Sequence, residues 1–183
     1  MSETTPLQDL LSRNWNMGLS FRAYLDYSQK NVERMRDVYE RTAVEDHLRD
    51  AIKGLGPEIR LLVLSGDWCG DCVANVPPIA RLADLNLKIQ YRILDRDRHD
   101  DLMQEFLTNG ARSVPKVVVA SGDMAKVATW GARPAECQAI MDQNKGKLPK
   151  EEIVPMIRAW YEKDNGRTLL KEIWALISGL TPS

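Results

Sequence analysis

The chain of 183 residues has a formal net charge of −1 at pH 7, from 25 basic and 26 acidic side chains, and 44% of its residues are hydrophobic. This length can bury a substantial core in one domain with an appendage, and the balanced charge lacks the basic excess of nucleic-acid-binding surfaces. The three cysteines are too few, and odd in number, for a secreted scaffold held by disulfides.

The N-terminal sequence has none of the features of a signal peptide. Residues 1–6 lack a basic region followed by an apolar core. No apolar run approaches the roughly 20 residues that span a bilayer, so no membrane partner is expected. We therefore expect a cytoplasmic protein, in which paired cysteines are more often catalytic, redox-sensing or metal-binding than structural.

Residues 1–57 form the first predicted segment, and their apolar spacing is helical. The 4-3-4-3-4 spacing of the positions from Phe21 to Tyr39 predicts one helix over that whole stretch. Thr42 and Glu45 have the spacing of a capping box and are expected to open a second helix. We interpret the segment as a helical N-terminal extension that packs on the α/β unit after it.

From residue 58 the pattern alternates between strands and helices. Helical spacing follows the first, second and last strands, and Asn109-Gly110 is expected to end the second of these helices. This order predicts two parallel strands and an antiparallel hairpin in one mixed sheet, with helices on its faces. The domain would span residues 58–183, including an extended helical C-terminus. Apolar or alternating runs predict strands over 59–64, 87–94, 116–120 and 125–130.

A motif with two thiols lies at the predicted turn from the first strand to its helix: Ser65-Gly66-Asp67-Trp68-Cys69-Gly70-Asp71-Cys72. A helix N-terminus carries partial positive charge and unpaired N–H groups, which favour a thiolate over a thiol. Cys69 is therefore the candidate nucleophile. Cys72 lies one helical turn further on, close enough to form a disulfide with it, so the pair indicates thiol–disulfide exchange.

Together with the element order, this motif resembles the thioredoxin family over about residues 58–143. The resemblance implies an α/β fold, namely a thioredoxin-like mixed β-sheet flanked by helices, here with helical N- and C-terminal extensions. Trp68 to Cys72 resemble the family's Trp-Cys-Gly-Pro-Cys site, and Pro77 resembles the proline that kinks its active-site helix. Ser113-Val114-Pro115 resembles the family's cis-proline loop, and Gly122 with Gly131 resemble its hairpin glycines.

The resemblance also implies a thiol–disulfide oxidoreductase that acts on disulfide-containing proteins or small thiols and serves cell redox homeostasis. Cys69 would attack the substrate disulfide, and Cys72 would resolve the mixed disulfide. Apart from this redox-active Cys69–Cys72 disulfide no cofactor is expected, and a reductase or a low-molecular-weight thiol would donate the electrons. The expected supporting positions, which shield the dithiol or receive the substrate backbone, are Trp68, Gly70, Asp71, Val114 and Pro115.

Two positions depart from the family pattern. The family's buried acid, which helps to move the proton of the buried cysteine, would fall at Val63, so another group or water must serve. Asp71 replaces the usual proline between the cysteines, and its carboxylate is expected to oppose thiolate formation at Cys69, with Asp67 adding to the effect. We expect the redox poise and the choice of partner to differ from those of a general thioredoxin.

Other interpretations of the two thiols stay open. A non-catalytic thioredoxin-like module would use the dithiol to sense redox state or would only bind a partner. A zinc site needs two ligands besides Cys69 and Cys72. The candidates are Cys137, expected in the core, His47 or His99, both expected near the surface, and carboxylates, and no metal site is predicted within one subunit. A metal or cluster shared between two subunits remains a third interpretation.

Overall fold

The computed structural model describes residues 5–181, so residues 1–4 and 182–183, the outer ends of the two predicted segments, lie outside the described residues. Within the described part the chain forms nine helices and four strands. In chain order they are α1 Pro6–Met17, α2 Phe21–Tyr27, α3 Val32–Arg41, α4 Asp46–Lys53, β1 Ile59–Ser65, α5 Gly70–Ala83, β2 Ile89–Asp95, α6 Asp100–Glu105, β3 Lys116–Ser121, β4 Val127–Trp130, α7 Ala135–Asn144, α8 Lys150–Asp164 and α9 Arg167–Leu180.

The four strands form one mixed sheet in the order β2-β1-β3-β4. Strands β1 and β2 are parallel, aligned from Ile59 with Ile89 to Ser65 with Asp95. Strand β1 pairs antiparallel with β3, and β3 pairs antiparallel with β4. This topology confirms the predicted fold class, a mixed sheet flanked by helices with helical segments at both ends, and each strand lies within two residues of its predicted bounds.

Strand β1 lies at the centre of the core because it is paired on both sides. Residues 61–64 are completely buried, as expected for an uninterrupted apolar strand that is covered on both faces of the sheet. At its carboxyl end Ser65 leads directly into the cysteine motif. The buried central strand of the sheet therefore carries the candidate site at its carboxyl end.

The helices of the N-terminal segment pack on the sheet and on α5. Helices α1 and α2 contact β2, and α3 contacts α5. Their side chains Leu11, Tyr24 and Met35 are buried in the same cluster as β1. Between α1 and α2, Leu19 exchanges two backbone hydrogen bonds of 2.8 Å with Ile93, which covers the outer edge of β2. The division into two domains stays a prediction.

The predicted single helix from Phe21 to Tyr39 is wrong, because the chain leaves the helical conformation between α2 and α3. The Ser28 hydroxyl donates to a backbone carbonyl one turn back at 2.7 Å, and Asn31 adopts a left-handed backbone with φ of 58°. The break frees the N–H groups of residues 29 and 30 to bind a carboxylate of the motif. Apolar spacing continues across the break because both helices face the same core.

Two predicted helix boundaries are also wrong. Thr42 does not open α4 but ends α3, where its hydroxyl donates to the carbonyl of Val38 at 2.7 Å; Glu45 precedes α4 without a side-chain capping bond. Helix α6 ends at Glu105, before the expected Asn109-Gly110. Residues 108–111 form a tight turn closed by two backbone hydrogen bonds of 2.9 Å, which replaces further helix.

The C-terminal helices extend the structure on the side of β3 and the motif. Helix α9 packs on β3, β4 and α5. Helices α7 and α8 contact each other and enclose a second, smaller apolar cluster around Cys137, Ile153 and Ile157. Among residues 5–181, no helix combines the length and the apolar character that crossing a membrane requires.

Candidate active site

The two motif cysteines lie where β1 turns into α5, and they differ in accessibility. Cys69 is the N-cap of α5, with φ of −90° and ψ of 122°, and is partly exposed. Cys72, one turn into the helix, is fully buried. Both are free thiols. The Cys69 thiol donates to the carbonyl of Val114 at 3.4 Å, and the Gly66 N–H donates to the Cys72 sulfur at 3.4 Å.

This difference in position separates the acidities of the two thiols. Hydrogen bonding from the Cys72 side chain lowers the pKa of Cys69 from 9.0 to about 7, although burial acts against it. The backbone N–H groups at the start of α5 lower the pKa of Cys69 further. Burial raises the pKa of Cys72 well above 9.0, and its hydrogen bond to Cys69 adds to that effect. Near neutral pH the pair therefore combines a partly ionised Cys69 with a protonated Cys72.

The loop before β3 lies against Cys69. The peptide bond between Val114 and Pro115 is cis, and Val114 is buried with its carbonyl oxygen on the Cys69 thiol. Gly131 follows β4 with φ of 130°, and a Cβ there would collide with the carbonyl oxygen of Pro115. Only glycine combines this backbone conformation with such a close approach.

Trp68 is 46% exposed, and its indole ring lies against Gly66 and the guanidinium of Arg96. Below it lies Gly66, where a Cβ would come within 2.7 Å of the indole ring. Above it lies the guanidinium of Arg96, 4.7 Å from the ring centroid, in a cation–π contact. Arg96 also donates to the carbonyl of Arg112 at 2.8 Å, and Arg112 donates back to the carbonyl of Arg96 at 3.3 Å. These bonds connect the Trp68 side of the motif to the cis-proline loop.

Asp71 does oppose thiolate formation, as predicted, since its charge raises the pKa of Cys69. However, its carboxylate is not free. Arg133 binds both carboxylate oxygens, at 2.7 and 3.0 Å. The hydroxyl of Tyr161 donates to the same group at 2.8 Å and accepts from the Asn75 amide at 2.9 Å. The guanidinium compensates the carboxylate, so the opposition to the Cys69 thiolate is smaller than the sequence alone suggests.

Asp67 is held by the loop between α2 and α3. Its carboxylate accepts from the backbone N–H groups of Gln29 and Lys30, at 2.7 and 3.0 Å. The Asn31 amide donates to the backbone carbonyl of Asp67 at 2.7 Å. The break in the predicted N-terminal helix therefore serves to fix the entrance to the cysteine motif.

The expected position of the family acid is apolar, since Val63 is fully buried. The polar group nearest the buried thiol along β1 is the hydroxyl of Ser65, whose hydrogen bond favours the thiolate of Cys72 and so lowers its pKa against the dominant effect of burial. Ser65 is in turn hydrogen-bonded to the hydroxyl of Tyr24 at 2.9 Å, and both residues are buried. Two buried hydroxyls, from Ser65 on β1 and Tyr24 on α2, thus form a hydrogen-bonded pair that reaches the Cys72 sulfur through Ser65.

The structure brings most of the predicted site residues together. Pro115 directly follows Val114, and Cys72 lies beneath the surface in the core. The sequence did not predict Arg96, Arg133 or Tyr161 as site residues, because local spacing does not show which distant segments lie beside the motif. The one available signal was chemical: a carboxylate next to a reactive thiol opposes its ionisation unless another group binds that carboxylate. An open cavity of about 790 Å³ is lined by Trp68, Cys69, Gly70, Asp71 and Val114, among others.

Among the described residues, the other metal-ligand candidates do not form a cluster of three or more with the dithiol. Cys137 is fully buried, His47 is exposed, and His99 lies at the start of α6, where it binds Asn14 at 2.7 Å. Within residues 5–181, no three His, Cys, Asp or Glu side chains converge on a common point.

Comparison with known proteins agrees with this geometry. A family model described as thioredoxin matches residues 18–145. The chain belongs to the thioredoxin family. The match begins before the motif-bearing unit and includes α2, α3 and α4, so the family relationship extends into the N-terminal segment.

Individual relatives are more distant. Thioredoxin-2 of Pyricularia oryzae is 29% identical over 107 residues, which are 58% of this chain and 59% of that protein; the match thus spans about three fifths of the relative's length. A protein of unknown function from Pseudomonas aeruginosa has 16% identity and a TM-score of 0.73, with 93% of this chain and 98% of that chain covered. An HIV epitope-scaffold protein has 19% identity and a TM-score of 0.70 with the same coverage. These two structures share the thioredoxin-like fold.

Proposed function

We propose that this thioredoxin-family protein is a thiol–disulfide oxidoreductase whose dithiol is Cys69 and Cys72. The observation that carries the proposal is the asymmetry of the pair. One thiol is accessible at a helix N-terminus with its pKa lowered to about 7, and the other is buried one turn away with its pKa raised. Nucleophilic attack followed by intramolecular resolution requires this division of roles.

The exchange proceeds in two displacements. The Cys69 thiolate attacks one sulfur of a substrate disulfide, so that a mixed disulfide forms and the other substrate sulfur leaves as a thiolate. Cys72 then attacks the Cys69 sulfur, its proton passes to the first departing thiolate, and the second substrate sulfur leaves. Two electrons have moved from the protein to the substrate, and the protein holds a Cys69–Cys72 disulfide.

Cys72 must lose its proton inside the core, and Val63 offers no carboxylate to assist. We assign the assistance to Ser65, whose hydroxyl favours the Cys72 thiolate and is itself hydrogen-bonded to Tyr24. A hydrogen bond to a buried thiolate is strengthened by the low local dielectric. Tyr24 is thus a positioning residue that orients Ser65.

The surrounding loop would orient the substrate. Val114 lies at the sulfur of Cys69, so the loop before β3 would receive an extended substrate segment beside the reacting thiol. Gly70 leaves open space, since nothing lies within 4 Å of a Cβ built there. The proposed partners are disulfide-bearing proteins or small thiols, with a reductase or a low-molecular-weight thiol as electron donor in the cytoplasm. The only redox group needed is the dithiol itself.

The test is reduction of insulin disulfides with dithiothreitol as the electron source. We expect Cys69→Ser to abolish the acceleration over dithiothreitol alone. Reduced Cys72→Ser, freed of dithiothreitol and then mixed with insulin, should accumulate a mixed disulfide that mass spectrometry detects. The matched control is Cys137→Ala, a change of the third thiol, which should retain the activity. Activity that survives Cys69→Ser would overturn the assignment. A wild type that cycles between dithiol and disulfide without accelerating reduction would instead favour a redox-sensing module.

A further inference from the structure

The cavity beside Cys69 is an open groove of about 790 Å³ whose walls come from distant parts of the chain. Helix α3 contributes one wall and α8 another, while the loops before β3 and after β4 complete it. Seven of the lining side chains are Lys or Arg and three are Asp or Glu, which leaves an excess of four positive charges. The whole chain has a net charge of −1, so positive charge is concentrated at the groove.

Several of these cations are already engaged in ion pairs. Arg133 is bound to Asp71, and on α3 Arg41 is bound to Asp37 at 2.8 Å. Arg112, in the loop before β3, lies 3.3 and 3.2 Å from two carboxylates of the β2–α6 region, and Arg96 lies 3.2 Å from one of them. These groups form the site and are satisfied within it.

Three further cations stand on the walls. Arg34 on α3 and both Lys150 and Arg158 on α8 are exposed. In the part of the chain that the structure describes, none of these three takes part in an ion pair, and Arg34 only contacts the amide of Asn31 at 3.1 Å. Their charges therefore remain available to a substrate that carries carboxylates.

We infer that the groove recognises an acidic polypeptide segment, whose Asp and Glu side chains flank the disulfide that Cys69 attacks. This inference rests on the proposed function and specifies its substrate class. The available cations lie on α3 and on α8 instead of converging on one point. An extended chain can place carboxylates on both walls while its disulfide lies at Cys69. Positive potential in the groove would also raise the rate of encounter with such segments.

The test uses three short peptides with the same internal disulfide, flanked by Glu, Gln or Lys. We expect wild-type kcat/KM to be about tenfold or more higher for the Glu peptide than for the Lys peptide. The preference should shrink as ionic strength rises from about 0.01 M to about 1 M, where the Debye length falls to about 3 Å. The double variant Lys150→Glu with Arg158→Glu should remove most of the preference. Its matched control is Arg13→Glu with Lys53→Glu, which makes the same charge change at exposed positions outside the groove and should keep the preference.

A binding measurement separates this inference from the proposed function. Fluorescein-labelled peptides with Ser in place of both Cys are titrated by anisotropy, so no exchange is required. Tighter binding of the Glu peptide, weakened in the groove variant and not in the control, supports the inference even if turnover is absent. Equal reduction and equal binding of all three peptides would overturn it while leaving the oxidoreductase intact. So would an equally strong preference for dithiodipropionate over its neutral diamide, because that result would assign the groove to small anionic disulfides.

Discussion

The lowered pKa of Cys69 makes a quantitative prediction about the stability of the reduced protein. We take the ordinary cysteine pKa of 9.0 for the unfolded chain, and the surroundings of Cys69 in the folded protein lower its pKa to about 7. At 1.36 kcal/mol for each pKa unit, the folded state gains at most about 2.7 kcal/mol from ionisation of Cys69. Because the folded pKa is the lower one, this contribution is complete above pH 9 and is lost as the pH falls through 7.

The comparison is between the wild type and Cys69→Ser, unfolded by urea under reducing conditions. Between pH 6 and pH 8 the wild type should gain about 1.3 kcal/mol of unfolding free energy relative to the variant. Measurements stay below pH 9, because the raised pKa of Cys72 has the opposite effect once the unfolded chain begins to ionise there. The ultraviolet absorbance of the thiolate gives the midpoint directly.

Cys72→Ser is the internal control for the cause of the lowered pKa. It removes the thiol that contributes most to lowering the pKa of Cys69, so the midpoint should rise toward the ordinary value unless the serine hydroxyl replaces that hydrogen bond. A wild-type midpoint near 9, or the same pH dependence of stability in the wild type and in Cys69→Ser, would refute the reasoning.

Three further predictions concern the groups around the dithiol. Arg133→Gln should lower the unfolding free energy by about 3 kcal/mol, because it leaves the mostly buried Asp71 carboxylate uncompensated, and adding Asp71→Asn should restore part of it. Asp67→Ala should cost about 1 kcal/mol in urea unfolding, since two exposed backbone N–H groups exchange the carboxylate for water, and Asp67→Asn should cost less. Gly131→Ala should lower the unfolding free energy by at least about 2 kcal/mol through collision with the cis-proline loop. Gly70→Ala should change it by under about 1 kcal/mol and slow only the exchange with bulky substrates. Equal effects at the two glycines would contradict the assigned contacts.

The sheet was predictable because its signal is local. The strand over residues 59–64 is an apolar run between turn residues, and its burial on both faces follows from that composition. The break at residues 28–31 was not predictable from spacing. Both α2 and α3 face one core, so the apolar period continues while the backbone departs to bind Asp67. Similarly, Thr42 and Glu45 match a capping box in sequence, although the Thr42 hydroxyl bonds backwards to α3.

The site divides in the same way. The positions of Cys69 and Cys72 follow from a strand-to-helix turn and a three-residue spacing, both of which the sequence carries. The partners of Asp71 do not, because Arg133 lies 62 residues away and Tyr161 lies 90 residues away. The charge of Asp71 in the sequence indicates that some group should bind its carboxylate. It does not indicate which residue does so.

The two acidic residues of the motif show why this dithiol needs segments outside the βαβ unit. A carboxylate on each side of Cys69 would oppose its thiolate if both were free. Asp67 is bound by backbone N–H groups of the α2–α3 loop, and Asp71 is bound by Arg133 after β4 and by Tyr161 on α8. The segments before and after the βαβ unit thus hold the acids in place, and the same α3 and α8 supply the free cations of the groove. Reactivity at the motif and the proposed charge selection in the groove therefore both depend on how Asp67 binds the α2–α3 loop and how Asp71 binds Arg133 and Tyr161. Loosening either carboxylate contact should alter reactivity and substrate preference together.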